Sequence, residues 1–169
     1  MRGAARPRLT QLWAPWRMEY IKRGDTSVCF LCNHIKSTKL KEPVLAISKH
    51  SYVVLNIFPY NPGHLMVVPK RHVGNLETLK YEEYHDLCDL TRESIQIVKV
   101  VLKPEGLNMG LNLGKSGGAG VLDHLHYHLV PRWIGDTNFM PLLAQTKVIS
   151  QHLSETYRKL NEAFSKKGP

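Results

Sequence analysis

The sequence predicts a single α+β domain: a five-stranded, mainly antiparallel sheet with a long helix packed on it and a second helix at the C-terminus. Three observations lead there. Short apolar, β-branched runs bounded by turn residues fall between residues 43 and 69 and again between 107 and 130. Between Glu77 and Lys103 the apolar period changes to the three-four spacing of a helix, and that spacing returns after residue 148. The resulting order of strands, helix, strands, helix is that of an α+β domain.

A chain of 169 residues is one domain's worth and can bury a substantial core. With 43% hydrophobic and 22% charged residues, global disorder is excluded. The apolar runs are too short to span a membrane. Residues 1–11 are a basic, proline-containing tail without the apolar centre of a secretory signal. The domain is read as 12–165, followed by a short tail, 166–169. Three cysteines, two of them in a C-x-x-C pair, argue against a disulfide scaffold and for a reducing, cytoplasmic setting. The net charge of +9 suits an anionic ligand. Nucleic acid is disfavoured as a partner, since the basic residues are scattered and no recognition motif accompanies them.

Taken in order, the first distinctive stretch is Leu12-Trp13-Ala14-Pro15-Trp16-Arg17, which reads as an arm packed on the core. Cys29-Phe30-Leu31-Cys32 follows, a knuckle able to present two thiolates to one zinc, but only half of a four-ligand site. Pro43–Ile47 and Tyr52–Phe58 read as a hairpin, with Asn56 in mid-strand, where a half-buried amide needs partners. The cluster Pro59-Tyr60-Asn61-Pro62-Gly63 is a turn, and His64–Pro69 is the next strand, with His72 just beyond it. The helix between Glu77 and Lys103 presents Tyr84, Leu87, Cys88, Thr91, Ile95, Val98 and Val101 as its apolar face. Leu107–Leu113 alternates as a strand that places Asn108, Gly110 and Asn112 on one face.

Asn112-Leu113-Gly114-Lys115-Ser116-Gly117-Gly118-Ala119-Gly120 holds four glycines in nine residues. Such a loop turns sharply and brings backbone N–H groups close to an anion. It leads into His124-Leu125-His126-Tyr127-His128-Leu129-Val130-Pro131-Arg132. Strict alternation predicts a strand with all three imidazoles on one face and Leu125, Tyr127 and Leu129 on the other. At a rise of about 3.3 Å per residue, alternate rings lie roughly 6–7 Å apart and can reach one small anion. Val148, Ile149, Leu153, Tyr157, Leu160 and Phe164 mark the C-terminal helix.

The glycine loop followed by His-φ-His-φ-His-φ-φ resembles the histidine triad (HIT) superfamily of nucleotide hydrolases and transferases. The Trp-Ala-Pro-Trp-Arg and Gly135-Asp136-Thr137-Asn138-Phe139-Met140-Pro141 segments are similar to those of members resembling diadenosine tetraphosphate phosphorylases. The resemblance implies a HIT-like fold, a homodimer with a continuous sheet, and cleavage of diadenosine polyphosphates through a covalent nucleotidyl-histidine. The nucleotide would then pass to inorganic phosphate or water. It assigns attack to His126 and the phosphate oxygens or leaving group to His128. One ring nitrogen of His126 would then donate to a backbone carbonyl of its own strand.

Asn56 is matched to a ribose contact and Asn112 to a phosphate contact. His64 lies near the nucleotide, and Trp13 or Trp16 is a candidate for stacking on a purine. Where many hydrolase members carry Gln and Ser/Thr, this chain has Gly120 and Val121, so the backbone amides of the loop, including Gly118 and Gly120, together with Ser116, take their place. Zinc-binding relatives use ligands that look like Cys29, Cys32, His72 and His124, with the metal structural. The alternatives are a nucleoside phosphoramidate hydrolase and a nucleotide-binding adaptor of low turnover. A uridylyltransferase is disfavoured because the motif ends in His128 rather than Gln.

Overall fold

The apolar runs of the sequence assemble into one sheet in the order β1-β2-β3-β5-β4, every neighbouring pair antiparallel. The computed structural model describes residues 29–36, 44–136 and 151–166. The tryptophan arm, both tails and residues 137–150 lie outside these described residues. The strands are β1 (Val44–Ile47), β2 (Ser51–Leu55), β3 (Leu65–Pro69), β4 (Gly106–Leu111) and β5 (Tyr127–Arg132), and the helices are α1 (Phe30–Lys36), α2 (Tyr81–Leu102) and α3 (Leu153–Lys166).

The middle of the sheet is buried on both faces, as its unbroken apolar runs require. On one face Val53, Leu55, Leu65, Val67, Tyr127 and Leu129 pack with Leu87, Leu90, Ile97 and Val98 of α2 and Leu160 and Phe164 of α3. On the other, Tyr52, Val54, Met66 and Val68 pack with Leu31 of α1, and the Tyr52 hydroxyl donates to the Leu31 carbonyl at 2.7 Å. Each fully buried Leu or Val contributes about 1.5–3 kcal/mol. The β1–β2 turn is tied to α2, since Asp86 accepts from the Ser48 hydroxyl (2.6 Å) and the His50 N–H (3.1 Å).

Several boundaries, among them the ends of β2 and β4, and one helix face differ from the sequence reading. Strand β2 ends at Leu55, so Asn56 stands just past the strand, where its Oδ1 accepts the Phe58 N–H at 2.9 Å in a local turn. A polar side chain that satisfies the backbone two residues on ends a strand more readily than it sits within one. The predicted strand Leu107–Leu113 ends at Leu111, which leaves Asn112 in the loop. The buried face of α2 is Glu83, Leu87, Leu90, Thr91, Ser94, Ile97 and Val98, while Tyr84 is exposed and Cys88 half-buried. The buried stripe is rotated toward Leu90, Ser94 and Ile97, none of which lies on the predicted face. The Thr91 and Ser94 hydroxyls donate to the Leu87 and Leu90 carbonyls at 2.7 Å each, so these small residues enter the core with their polar atoms satisfied.

A short 3-10 turn, Leu76–Thr78, precedes α2, and the segment carrying His72 is fastened there. Arg71 grips Glu83 through Nε (2.8 Å) and a terminal nitrogen (2.7 Å), and Glu83 also accepts the Lys80 N–H at 2.9 Å. The Arg71 hydrogen bond is the chief cause that pulls the Glu83 carboxyl down to about 2. A depressed carboxylate stabilises the fold above its ordinary titration range, and that stabilisation is lost as pH falls toward 2. Glu83→Gln is therefore expected to unfold at a lower temperature than the parent at pH 6–7. Thermal melts followed by circular dichroism should show that gap closing between pH 5 and pH 2.

Candidate active site and metal-ligand cluster

The three histidines divide between two places. Strand pairing of β5 begins only at Tyr127, so His124 and His126 precede the ladder; His128 stands opposite Met66, on the face of the sheet that packs α1, the helix whose start lies beside His124. Leu125, Tyr127 and Leu129 are buried in the helix-side core as expected. His124 joins His72, with ring centroids 5.1 Å apart, while His126 and His128 meet edge to face at 4.8 Å.

Hydrogen-bond partners assign a proton to each ring. The nearest partner of His126 Nδ1 is the His124 carbonyl at 2.9 Å. A carbonyl only accepts, so neutral His126 carries its proton on Nδ1 and keeps a lone pair on Nε2. Burial lowers its pKa, partly opposed by that hydrogen bond, so the ring is neutral at pH 7. His124 donates from Nε2 to the Pro69 carbonyl at 2.8 Å, which leaves its Nδ1 as an acceptor or a metal ligand.

His64, fully buried, completes the set. Its Nδ1 accepts the Tyr60 N–H at 3.0 Å and the Asn56 amide at 3.3 Å, so its proton resides on Nε2. That nitrogen faces His128 Nδ1 at 2.9 Å. Neutral His128 then holds its own proton on Nε2. The Tyr60 ring stacks on His64 at 4.6 Å. One imidazole thus offers a lone pair and its neighbour an N–H, an arrangement suited to attack on an electrophile and stabilisation of the departing or non-bridging oxygen. Sequence periodicity could not reveal His64 as the partner of His128, because the two lie 64 residues apart.

The glycine loop leaves β4 beside these rings. The register Gly110↔His128 and Leu111↔Tyr127 carries Asn112 toward His126. Within the loop the Gly118 N–H donates to the Lys115 carbonyl (3.1 Å), the Ala119 N–H to Gly114 (3.2 Å), and the Asn112 amide to the Gly118 carbonyl (3.4 Å). Gly114 and Gly118 have φ of +68° and +83°, and a Cβ at Gly117 would lie 2.3 Å from the Leu113 carbonyl oxygen. Glycine is required at these places by backbone conformation and close approach. Ser116, Gly118 and Gly120 are exposed on the loop. The Asn56 amide, matched to a ribose contact, here braces His64.

Cys29, Cys32, His72 and His124 bring one donor atom each to within 4.8 Å of one another. His124 Nδ1 lies 3.3 Å from Cys29 Sγ and 3.4 Å from Cys32 Sγ, and His72 Nδ1 lies 3.4 Å from Cys32 Sγ. Tetrahedral ligands at ordinary Zn–S and Zn–N lengths are about 3.3–3.8 Å apart. Two thiols and two imidazoles at this separation fit a thiophilic divalent ion. Cys29 immediately precedes α1 and Cys32 lies in its first turn, so the pair spans the helix start.

Comparison with known proteins agrees with this geometry. The HIT domain family matches residues 37–133. A protein of Mycobacterium tuberculosis named AP-4-A phosphorylase is 44% identical over 164 residues, which cover 92% of this chain and 84% of that one. An asymmetrical bis(5'-nucleosyl)-tetraphosphatase of Schizosaccharomyces pombe is 29% identical over 119 residues, covering 70% of this chain and 65% of its own. Among solved structures, a hypothetical histidine triad nucleotide-binding protein of Sulfolobus tokodaii shares the fold with a TM-score of 0.66 at 24% identity, covering 82% of this chain and 93% of that one. A zinc-bound histidine triad family protein of Mycobacterium smegmatis does so with a TM-score of 0.65 at 23% identity, covering 85% and 96%.

The cluster predicts one divalent ion per chain. Titration of metal-free protein with Co²⁺ should give a single equivalent with intense thiolate-to-cobalt absorption. Cys29→Ser should weaken binding and lower that absorption by about half, one thiolate remaining.

Proposed function

This chain belongs to the histidine triad (HIT) domain family, and we propose that it cleaves diadenosine polyphosphates of the tetraphosphate kind at an α-phosphate, through a nucleotide held covalently on His126. The observation that carries the reading is the pair of opposed tautomers, with a lone pair on His126 Nε2 beside an N–H on His128. The names of the similar phosphorylase and tetraphosphatase support the substrate class. In the first step the Nε2 lone pair of His126 forms a bond to the α-phosphorus, and the bond to the bridging oxygen breaks. The leaving nucleoside triphosphate takes that electron pair, with His128 Nε2–H donating a hydrogen bond on its side. In the second step an oxygen of inorganic phosphate or water bonds to phosphorus, and the N–P bond returns its pair to Nε2. Asn56, Asn112, Ser116 and the backbone of Gly118 and Gly120 bound the nucleotide and its phosphates.

Zinc is the ion proposed for Cys29, Cys32, His72 and His124, where it supplies a structural cross-link away from the reacting phosphorus. His64 positions His128, and Asn56 and the Tyr60 N–H in turn fix the tautomer of His64. We place the protein in the cytoplasm, where the three free cysteines stay reduced. No helix among the described residues is long and apolar enough to cross a membrane.

A second copy of the chain is proposed as partner along β4. That strand pairs with β5 on one side among the described strands, and Met109 within it and Val100 on α2 are 52% and 74% exposed. An apolar open edge of six residues is one that proteins usually cover. Sedimentation should show a dimer, and Met109→Asp should shift it toward monomer.

Incubation of diadenosine tetraphosphate with the protein tests the reaction. ADP plus ATP formed only with phosphate is the outcome of a phosphorylase, and AMP plus ATP without it that of a hydrolase. His126→Ala should lower kcat by more than about 10³-fold with AMP binding retained. Because burial lowers the His126 pKa, the acid limb of kcat/KM should fall below pH 6.5. Turnover by His126→Ala at the parent rate would overturn the mechanism.

A further inference from the structure

We propose that Tyr60 is a positioning residue for departure of the leaving group: its ring holds His64 against His128 and closes that pair of imidazoles to water. The inference rests on the reading of His128 as the N–H donor on the leaving-group side. It adds the Tyr60 side chain to the backbone contact described above.

Tyr60 and Asn61 both reach β5, by different means. The Tyr60 ring stacks on His64 with centroids 4.6 Å apart and planes 29° from parallel, and it lies 5.8 Å from the His128 ring. Tyr60 is 39% exposed, whereas His64 is wholly buried. The His64 and His128 rings are 5.1 Å apart and joined by the 2.9 Å contact between Nε2 and Nδ1. Asn61, buried, donates from its amide to the Pro131 carbonyl at 3.0 Å and to Asp136. Both oxygens of Asp136 accept from Arg132, at 2.6 and 2.8 Å. The Asn61 carbonyl accepts the His64 N–H at 3.1 Å, and the His64 carbonyl accepts the Asn56 N–H at 2.9 Å. Gly63, at φ +77°, packs so closely that a Cβ there would stand 2.3 Å from the Leu102 side chain and 3.3 Å from that of Pro131.

These contacts divide two tasks within one turn. Asn61, Gly63 and the backbone bonds fix the course of the chain, and with it the Tyr60 N–H that His64 Nδ1 accepts at 3.0 Å. The Tyr60 ring instead contacts the two imidazoles. A ring in near-parallel contact restrains the tilt of the one it covers. It also keeps water from competing with His128 for the His64 Nε2–H. An imidazole pinned at one nitrogen has the direction of its other nitrogen fixed, so His128 aims its N–H at the departing oxygen only while His64 holds it. Truncation of Tyr60 to Ala keeps the backbone N–H and the Asn61 clamp and removes the covering ring alone. Its cost grows with the need of the leaving oxygen for a proton donor.

The test uses two esters of AMP, phenyl and 4-nitrophenyl, which share the phosphorus and differ in the leaving group. Unsubstituted phenol has a pKa of about 10, and the nitro group lowers it. Tyr60→Ala is expected to lower kcat/KM by about 10–100-fold for the phenyl ester and by less than about threefold for the 4-nitrophenyl ester. Tyr60→Phe should keep the parent values. In a His128→Ala background Tyr60→Ala should cost nothing further, the mark of two residues acting as one unit. Proton spectra should show the His64 Nε2–H as a slowly exchanging signal in the parent and a rapidly exchanging one in Tyr60→Ala. Equal losses on the two esters, or additive losses in the double variant, would overturn the inference. An Nε2–H equally protected with and without the ring would do the same. If the parent cleaves neither ester nor diadenosine tetraphosphate, the proposed reaction falls, while faster exchange in Tyr60→Ala still supports the positioning of His64 by Tyr60.

Discussion

The pairing of β3 with β5 is the constraint on which the rest depends. Its register, Leu65↔Leu129, Met66↔His128 and Val67↔Tyr127, fixes two distant contacts at once. At the start of β3 stands His64, whose Nε2 meets His128; at its end stand Pro69, which receives His124, and His72 beyond it. The five residues of the strand, about 17 Å, run from His64 beside His128 to Pro69 beside His124. A slip of one residue would carry every side chain of the strand to the other face and break both contacts together. Burial on both faces of this strand gives the register its energetic weight, since Leu65, Val67 and Val68 are wholly enclosed.

Within that frame, proton placement is governed by groups that cannot titrate. Backbone carbonyls of Pro69 and His124 and the backbone N–H of Tyr60 each have one hydrogen-bonding character. They set His124 as an Nε2–H ring, His126 as Nδ1–H and, through His64, His128 as Nε2–H. Three chemically identical side chains at alternate positions thereby become a metal ligand, a lone-pair donor and an N–H donor. Burial reinforces the assignment for His124 and His126 by disfavouring their charged forms.

The glycine loop contributes differently. Its positive φ angles and the approach of Gly117 to Leu113 fold it tightly, and its own carbonyls take up part of its N–H groups. The loop and His124 and His126 lie on the one connection between β4 and β5, strands joined by six paired positions.

Much of this was legible in the chain. Periodicity specified five strands and two long helices, because burial on one face of an element leaves its period in the sequence. The C-x-x-C pair and the alternating histidines pointed to side chains that the structure brings together, Cys29 and Cys32 with His124, and His126 with His128. Element ends were less legible: Asn56 and Asn112 fell outside strands that apolar content alone extended over them. The face of α2 is rotated from the predicted one toward Leu90, Ser94 and Ile97, with Ser94 entering the core through its bond to the Leu90 carbonyl. What only the tertiary structure decided was which histidine faces which partner. His124 and His128 are four residues apart and share a motif, yet one meets thiols near residue 30 and the other an imidazole at residue 64. Side-chain period carries information about faces, whereas the identity of a hydrogen-bonding partner depends on the register of strands far apart in sequence, and a ring's tautomer on that partner.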